Sequence, residues 1–219
     1  MTTRSLRILL INPNTSRATT EQMAAIAQGV APADADIVGV TAPRGAKMIL
    51  TADELAAAEP TVVEMAASQA SDVDGIIIGA FGDPGLAALR ELVAVPVVGI
   101  AEASMLEASE GNRRFGVATT TPALVDFIAA RVRALGVASL YTGIRLTPGD
   151  PTALVADPPR LVEALAVAVH AAIDEDGVQA VIIGGGPLGQ AAIALAPRFT
   201  TPIIAPIPAA MRRLLTLIG

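Results

Sequence analysis

Four short segments, rich in small, hydroxyl-bearing and amide residues, are the parts of this sequence best suited to bind a reacting group. Residues 12–16 (NPNTS) and 119–121 (TTT) each precede a predicted helix, as do residues 80–85 (AFGDPG) and 185–189 (GGPLG). Hydroxyls, amides and the free N–H groups of a helix start can hold a carboxylate or carbonyl oxygen. Each residue alone could equally be a helix cap or a turn former, but four matching segments favour a ligand site.

Four ionisable residues are candidates for an acid or a base, and none of them is assigned that role. Asp83 precedes Pro84 and is better explained as a helix cap. His170, the only histidine, falls on the polar face of a predicted helix and is expected at the surface. Tyr141 lies in a predicted strand, where its phenol could donate a hydrogen bond or simply pack. Glu102 opens a predicted helix and could orient a site without taking part in the chemistry.

The hydrophobic pattern predicts alternating strands and helices. Short β-branched runs predict strands at residues 7–12, 36–40, 75–79, 97–100, 115–118, 140–144, 180–183 and 203–205. Stretches rich in Ala, Leu and Glu predict helices near residues 16–29, 52–69, 84–93, 102–110, 122–135, 158–175, 188–196 and 207–217. Continuous apolar runs such as residues 76–78 (III) are typical of parallel strands covered on both faces. The sequence therefore predicts an α/β fold with parallel sheets flanked by helices.

The chain contains an internal repeat of about a hundred residues. Three segment pairs recur at an offset of 105 or 106: residues 7–16 and 113–122, residues 74–82 and 179–187, and residues 96–105 and 202–211. We expect two pseudosymmetric lobes, the first formed by residues 1–97 and 206–219, the second by residues 98–205. Because parallel α/β sheets bind ligands beyond the carboxyl ends of their strands, the cleft between the lobes is the expected site.

The composition of the 219-residue chain excludes several classes of protein. A net charge of −6 argues against nucleic acid as a partner, because phosphates need a basic surface. Despite a mean hydropathy of +0.58, no apolar run approaches the roughly 20 residues of a membrane span, and no export signal is evident, so we expect a cytoplasmic protein. The chain has no cysteine and no carboxylate cluster with metal-ligand spacing, so we expect no metal.

Several of these segments resemble a known enzyme family. INPNTS at residues 11–16, FGDPGL at 81–86, PVVGIAEASM at 96–105 and GGGPLG at 184–189 are similar to strings of the aspartate/glutamate/hydantoin racemase superfamily, and most similar to its hydantoin and allantoin racemase branch. The resemblance covers nearly the whole chain. It implies two pseudosymmetric α/β lobes, no cofactor, a small amino-acid-derived substrate and a homo-oligomer.

The resemblance also identifies what this chain lacks. Racemases of this family place one cysteine on each face of the substrate's α-carbon, so that one thiolate removes the proton and the other thiol returns it. The matching positions here are Ala80 and Gly185, whose side chains cannot exchange a proton. The two-thiol mechanism is therefore absent, and the loss of both thiols is expected to enlarge the pocket.

Two functions stay open on this basis. The first, which we favour, is a cofactor-independent enzyme that acts next to a carbonyl or carboxylate of a small amino-acid-derived or hydantoin-like substrate without thiols. It would be an isomerase, a lyase or a decarboxylase, since the superfamily includes a maleate isomerase and an arylmalonate decarboxylase. The second is a catalytically silent protein that binds a small metabolite. For either function we expect ligand contacts from Asn12, Thr15, Phe81, Gly82, Thr119, Thr120, Gly186 and Pro187.

Overall fold

The computed structural model describes residues 5–219. Its strands are β1 (Arg7–Asn12), β2 (Asp36–Thr41), β3 (Gly75–Ile78), β4 (Val97–Gly99), β5 (Phe115–Thr119), β6 (Tyr141–Leu146), β7 (Ala180–Ile183) and β8 (Ile203–Ile204). Its helices are α1 (Arg17–Gln28), α2 (Ala52–Ala67), α3 (Leu86–Leu92), α4 (Ile100–Ser109), α5 (Val125–Ala134), α6 (Pro151–Val155), α7 (Pro158–Asp174), α8 (Gly189–Leu195) and α9 (Pro206–Ile218). Every predicted strand and helix is present, and the α/β prediction is confirmed.

The two halves of the chain build the same sheet twice. The first sheet has the strand order β2-β1-β3-β4 and the second has the order β6-β5-β7-β8, and all pairs are parallel. In the central pairs, Leu9 lies opposite Ile76 in the first sheet and Val117 lies opposite Ile182 in the second. We call the residues around the first sheet the first half and those around the second sheet the second half. The internal repeat therefore corresponds to two copies of one sheet topology.

Local sequence explains where the longer helices begin. Helix α2 starts with a capping box, in which the Thr51 hydroxyl accepts from the Glu54 N–H and the Glu54 carboxylate accepts from the Thr51 N–H. The Asp157 side chain caps α7 by accepting from the Arg160 N–H. The sequence pattern does not predict helix α6, because its five residues are too few to show a helical period. The Asp150 carboxylate, which accepts from the Ala153 N–H, caps this short helix.

Helices α4 and α9 pack against each other between the two sheets. Helix α9 also contacts strands β3 and β4 of the first sheet, whereas α4 contacts β7 and β8 of the second. Helix α4 thus follows the edge strand β4 of the first sheet and packs on the second sheet. Helix α9 follows the edge strand β8 of the second sheet and packs on the first sheet. The lobe boundaries given above stay a prediction. Within residues 5–219 no helix has the length and apolar character needed to cross a membrane.

Candidate active site

A pocket lies between the two halves, at the carboxyl ends of strands β1, β3, β5 and β7. The cavity has a volume of about 50 Å³. The first half lines it with Asn14, Met48, Ile49, Leu55, Gly79, Ala80 and Phe81. The second half lines it with Thr119, Thr120, Thr121, Leu124, Ile128, Val155, Gly184, Gly185, Gly186, Pro187 and Leu188. The position agrees with the general rule that parallel sheets bind ligands beyond the carboxyl ends of their strands.

The structure brings most of the expected ligand-contact residues together at this pocket. Five of them line it: Phe81, Thr119, Thr120, Gly186 and Pro187. Ala80 and Gly185, the positions at which the resemblance places cysteines, also line it. The other three, Asn12, Thr15 and Gly82, are not among the lining residues.

Asn12 shapes the pocket loop from behind instead of facing a ligand. Its side chain is fully buried, and its Nδ2 donates to Asn14 Oδ1 (2.9 Å), the Ser16 carbonyl (3.0 Å) and Thr20 Oγ1 (2.9 Å). Asn14 Oδ1 also accepts from the Ser16 N–H at 2.9 Å, which fixes the orientation of the Asn14 amide. Asn14 Nδ2 has no protein partner within residues 5–219 and is therefore the donor that this loop offers to the pocket.

Thr15 and Gly82 support the pocket wall. The Thr15 N–H and Oγ1 both donate to the Ala46 carbonyl, at 3.0 and 3.4 Å, and so tether the segment that carries Met48 and Ile49. Gly82 leaves the space that the Leu55 side chain occupies, because a Cβ at Gly82 would lie 2.4 Å from Leu55 Cδ2. Neither residue lines the pocket, and direct contact between them and a ligand stays a prediction.

Three consecutive threonines, Thr119, Thr120 and Thr121, supply the hydroxyl groups of the pocket wall. The Thr119 hydroxyl donates to the Gly184 carbonyl at 2.7 Å and so ties the β5 loop to the glycine turn of β7. The Thr121 N–H donates back to Thr119 Oγ1 at 3.4 Å. Thr120 and Thr121 share one long contact of 3.5 Å between their hydroxyls, which leaves both able to bond a ligand. Thr119 is therefore structural, and Thr120 and Thr121 are the available donors.

Unpaired backbone N–H groups occur at matching positions of the two pocket turns. Within residues 5–219, the N–H groups of Ala80 and Phe81 have no hydrogen-bond partner, and neither do those of Gly185 and Gly186. The repeat offset of 105 residues relates Ala80 to Gly185 and Phe81 to Gly186. Backbone N–H groups fixed in this way can stabilise negative charge on a carbonyl or enolate oxygen without any side chain.

The described residues place no ionisable side chain on the pocket wall. Within residues 5–219 the lining contains no Asp, Glu, Lys, Arg, His or Tyr. His170 is exposed and packs its ring on Phe199 with centroids 4.8 Å apart, as expected of a surface residue. Tyr141 pairs with Phe115 at the start of their strands, away from the pocket, and burial raises its pKa to about 12. Neither residue can act as the acid or base of this site.

Asp83 caps a different helix from the one expected. Helix α3 begins at Leu86, while the Asp83 carboxylate accepts from the N–H groups of Ala101 (2.9 Å) and Glu102 (2.8 Å) at the start of α4. Burial raises the pKa of Asp83 to about 6, although Arg131 and both backbone donors oppose that rise. The expectation of a cap before Pro84 is wrong, because the chain turns Asp83 toward a helix that is later in sequence and adjacent in space.

Side chains occupy the space beside the glycine turn, and the expected enlargement of the pocket stays a prediction. A Cβ at Gly185 would lie 3.0 Å from Leu188 Cγ and Cδ1, and a Cβ at Gly184 would lie 3.0 Å from Phe81 Cε1. Leu188 and Phe81 therefore fill the space beside the glycine turn. Sequence reasoning misses the apolar wall, which includes Met48 and Leu55, because apolar residues near a predicted helix carry the same pattern as ordinary core residues.

Comparisons with known proteins show the family and the fold of the chain. The sequence model of the Asp/Glu/Hydantoin racemase family matches residues 8–214. A hydantoin racemase from Pseudomonas sp. (strain NS671) is 32% identical over 200 residues, which are 91% of this chain and 80% of the relative. The structure of an allantoin racemase from Klebsiella pneumoniae is 32% identical with a TM-score of 0.91, over 98% of this chain and 88% of that one. A mutant of arylmalonate decarboxylase shares the fold at 20% identity with a TM-score of 0.71, over 98% of this chain and 93% of that one.

The resemblance seen in the INPNTS and FGDPGL strings is thus confirmed across the chain. The relatives above 30% identity are named as racemases, which supports an enzymatic function, while this sequence contains no cysteine. The chain belongs to the Asp/Glu/hydantoin racemase family.

Proposed function

We propose that this protein is a cofactor-independent enzyme that acts next to a carbonyl of a small hydantoin-like or amino-acid-derived substrate without thiol proton transfer. Family membership supports the substrate class, since related proteins are named hydantoin and allantoin racemases. The homo-oligomeric state and the cytoplasmic location expected from the sequence belong to the same proposal.

The observation that carries the proposal is the set of donors on an otherwise uncharged pocket wall. The unpaired N–H groups of Ala80, Phe81, Gly185 and Gly186 can receive a carbonyl oxygen that gains negative charge. Asn14 Nδ2 adds a side-chain donor. The wall therefore suits stabilisation of an enolate, the species that reactions next to a carbonyl share.

The absence of a base on the described wall favours a decarboxylase over a racemase. A racemase must first remove a proton from the α-carbon, and no lining side chain within residues 5–219 can accept it. Decarboxylation needs no base: the bond from the α-carbon to the carboxylate breaks, CO₂ leaves, and the electron pair moves onto the neighbouring carbonyl oxygen. Water then returns a proton to the α-carbon. Apolar side chains such as Leu55 and Ile128 disfavour the charged carboxylate relative to neutral CO₂.

Proton NMR in D₂O tests this proposal. The panel consists of enantiopure 5-substituted hydantoins, allantoin, aspartate, glutamate and arylmalonates, each incubated with the protein and with its Thr120→Val variant. We expect enzyme-dependent formation of product from one of the malonates or another substrate with a carboxylate beside a carbonyl, slowed by Thr120→Val. Loss of a hydantoin α-proton signal without product release would show an isomerase instead, and would contradict the preference for a lyase.

The second candidate function is a catalytically silent binder of a small metabolite. It is favoured by the same uncharged wall, because binding needs donors and apolar contact but no group that carries a proton. Saturable binding in the same spectra, with neither exchange nor product across the whole panel, would support this function and contradict the enzyme proposal.

A further inference from the structure

The pocket encloses less space than a substituted hydantoin occupies. Its volume of about 50 Å³ holds roughly four water molecules. A hydantoin ring with a substituent is larger than this. The cavity can therefore enclose such a ligand completely only if part of the wall moves.

Helix α5 is a part of that wall with few buried residues. It supplies Ile128 to the pocket, yet only Ile128 and Val132 among its residues are fully buried, and no side chain caps its N-terminus. Helix α2, which supplies Leu55 from the first half, has five buried residues and a complete capping box of Thr51 and Glu54. Of these two helices, α5 therefore needs less free energy to move away from the rest of the protein.

Arg131 forms the charged link from α5 to Asp83 of the first half and to Glu102 of helix α4. A single nitrogen, Nη2, lies 3.3 Å from Asp83 Oδ2 and 3.3 Å from Glu102 Oε2, while the buried Nε has no partner within residues 5–219. Both carboxylates are satisfied without Arg131. Glu102 pairs with Arg90 at 2.6 and 3.1 Å, and Asp83 accepts the backbone N–H groups of Ala101 and Glu102.

Release of Arg131 would thus leave no carboxylate without a partner and would let water reach the Arg131 Nε. We propose that α5 is the moving wall of the pocket, and that Arg131 is the positioning residue that latches it onto Asp83 and Glu102. In the latched state Leu124 and Ile128 close the cavity, and in the released state the cavity is open to a ligand. The proposal concerns access, and it holds whether the pocket serves catalysis or binding alone.

A single introduced thiol can report on this opening, because the natural chain has no cysteine. Thr120→Cys places a thiol on the pocket wall at a residue that is 4% exposed. Ellman's reagent is larger than the cavity, so it labels this thiol only when the wall opens. We expect Arg131→Met to raise the labelling rate roughly two- to fivefold, the factor that corresponds to loss of a partly exposed ion pair. Arg131→Lys keeps the charge and should raise the rate less.

Two controls separate latch release from general destabilisation. Arg133→Met removes an exposed arginine of α5 that makes no ion pair within residues 5–219, and it should leave the labelling of Thr120→Cys unchanged. Ala192→Cys, at a residue that is 0% exposed in the core of the second half, reports on global unfolding and should not respond to Arg131→Met. An unchanged rate at Thr120→Cys would overturn the proposal, and so would equal acceleration at Ala192→Cys or equal acceleration by Arg133→Met.

Discussion

Asp83→Asn provides the sharpest test of the electrostatics behind the pocket. The Asp83 side chain is fully buried, and desolvation raises its pKa from 3.8 to about 6. Since the folded protein then holds the proton more tightly than the unfolded chain, protonation of Asp83 stabilises the fold. This contribution is complete below pH 3.8 and is lost as the pH rises through 6.

The expected size follows from the two pKa values. Relative to neutral pH, proton uptake by Asp83 adds about 1 kcal/mol to the free energy of unfolding at pH 5 and about 2 kcal/mol at pH 4. The amide that replaces the carboxylate in the variant does not titrate. Its single carbonyl oxygen can accept only one of the two N–H groups that Asp83 accepts, which costs about 1–3 kcal/mol at every pH. The stability advantage of the natural protein over the variant should therefore grow as the solution is acidified.

Urea unfolding of both proteins at pH 7, 5 and 4 measures how the difference between their free energies of unfolding changes with pH. The titrations of other carboxylates cancel in this comparison. Asp126→Asn, which removes an exposed carboxylate from the first turn of α5, serves as the matched control for the loss of one carboxylate. Arg131 and the two backbone donors act against desolvation and favour the ionised carboxylate. If they prevail, the natural protein will lose stability relative to Asp83→Asn on acidification, and that result would refute the reasoning.

Two further predictions concern the glycine turn. Gly185→Cys should lower the free energy of unfolding by about 1–3 kcal/mol, because its Cβ meets Leu188 at 3.0 Å. In a urea double-mutant cycle, Gly185→Cys combined with Leu188→Val should lower the free energy of unfolding by less than the sum of the two single changes. Ala80→Cys alone should leave the free energy of unfolding nearly unchanged. Thr119→Val should cost about 1–3 kcal/mol in the same assay, because it leaves the buried Gly184 carbonyl without its 2.7 Å donor, and unchanged stability would contradict the structural role of Thr119.

The fold could be predicted from the sequence because its signals are repeated and local. Continuous apolar runs mark β3 and β7, and both strands are buried along their whole length. The repeat offset predicts two equivalent units, and the two sheets share one strand order. The ends of the strands are predicted less accurately than their presence. The pattern predicts β6 at residues 140–144, whereas the strand runs from Tyr141 to Leu146. The pattern cannot fix a strand end where apolar and polar residues alternate irregularly.

The candidate site could be predicted only as far as its loops. Strand-end position identifies Thr120 and Gly186 as neighbours of the pocket, because parallel strands end at one edge of the sheet. The sequence could not tell which of Asn12 and Asn14 faces the pocket, because the two residues are of the same type and lie in the same loop. The hydrogen bonds among Asn12, Asn14 and Ser16 decide this, and they depend on how the loop folds back onto α1.

Thiols and backbone N–H groups have different physical origins. A cysteine contributes its chemistry through a side chain, whereas Ala80 and Gly185, the positions at which the resemblance places cysteines, have side chains that cannot exchange a proton. The N–H groups at Ala80, Phe81, Gly185 and Gly186 belong to the backbone and survive any substitution that preserves the turns. A scaffold of this kind can lose its proton carriers and still stabilise an oxyanion.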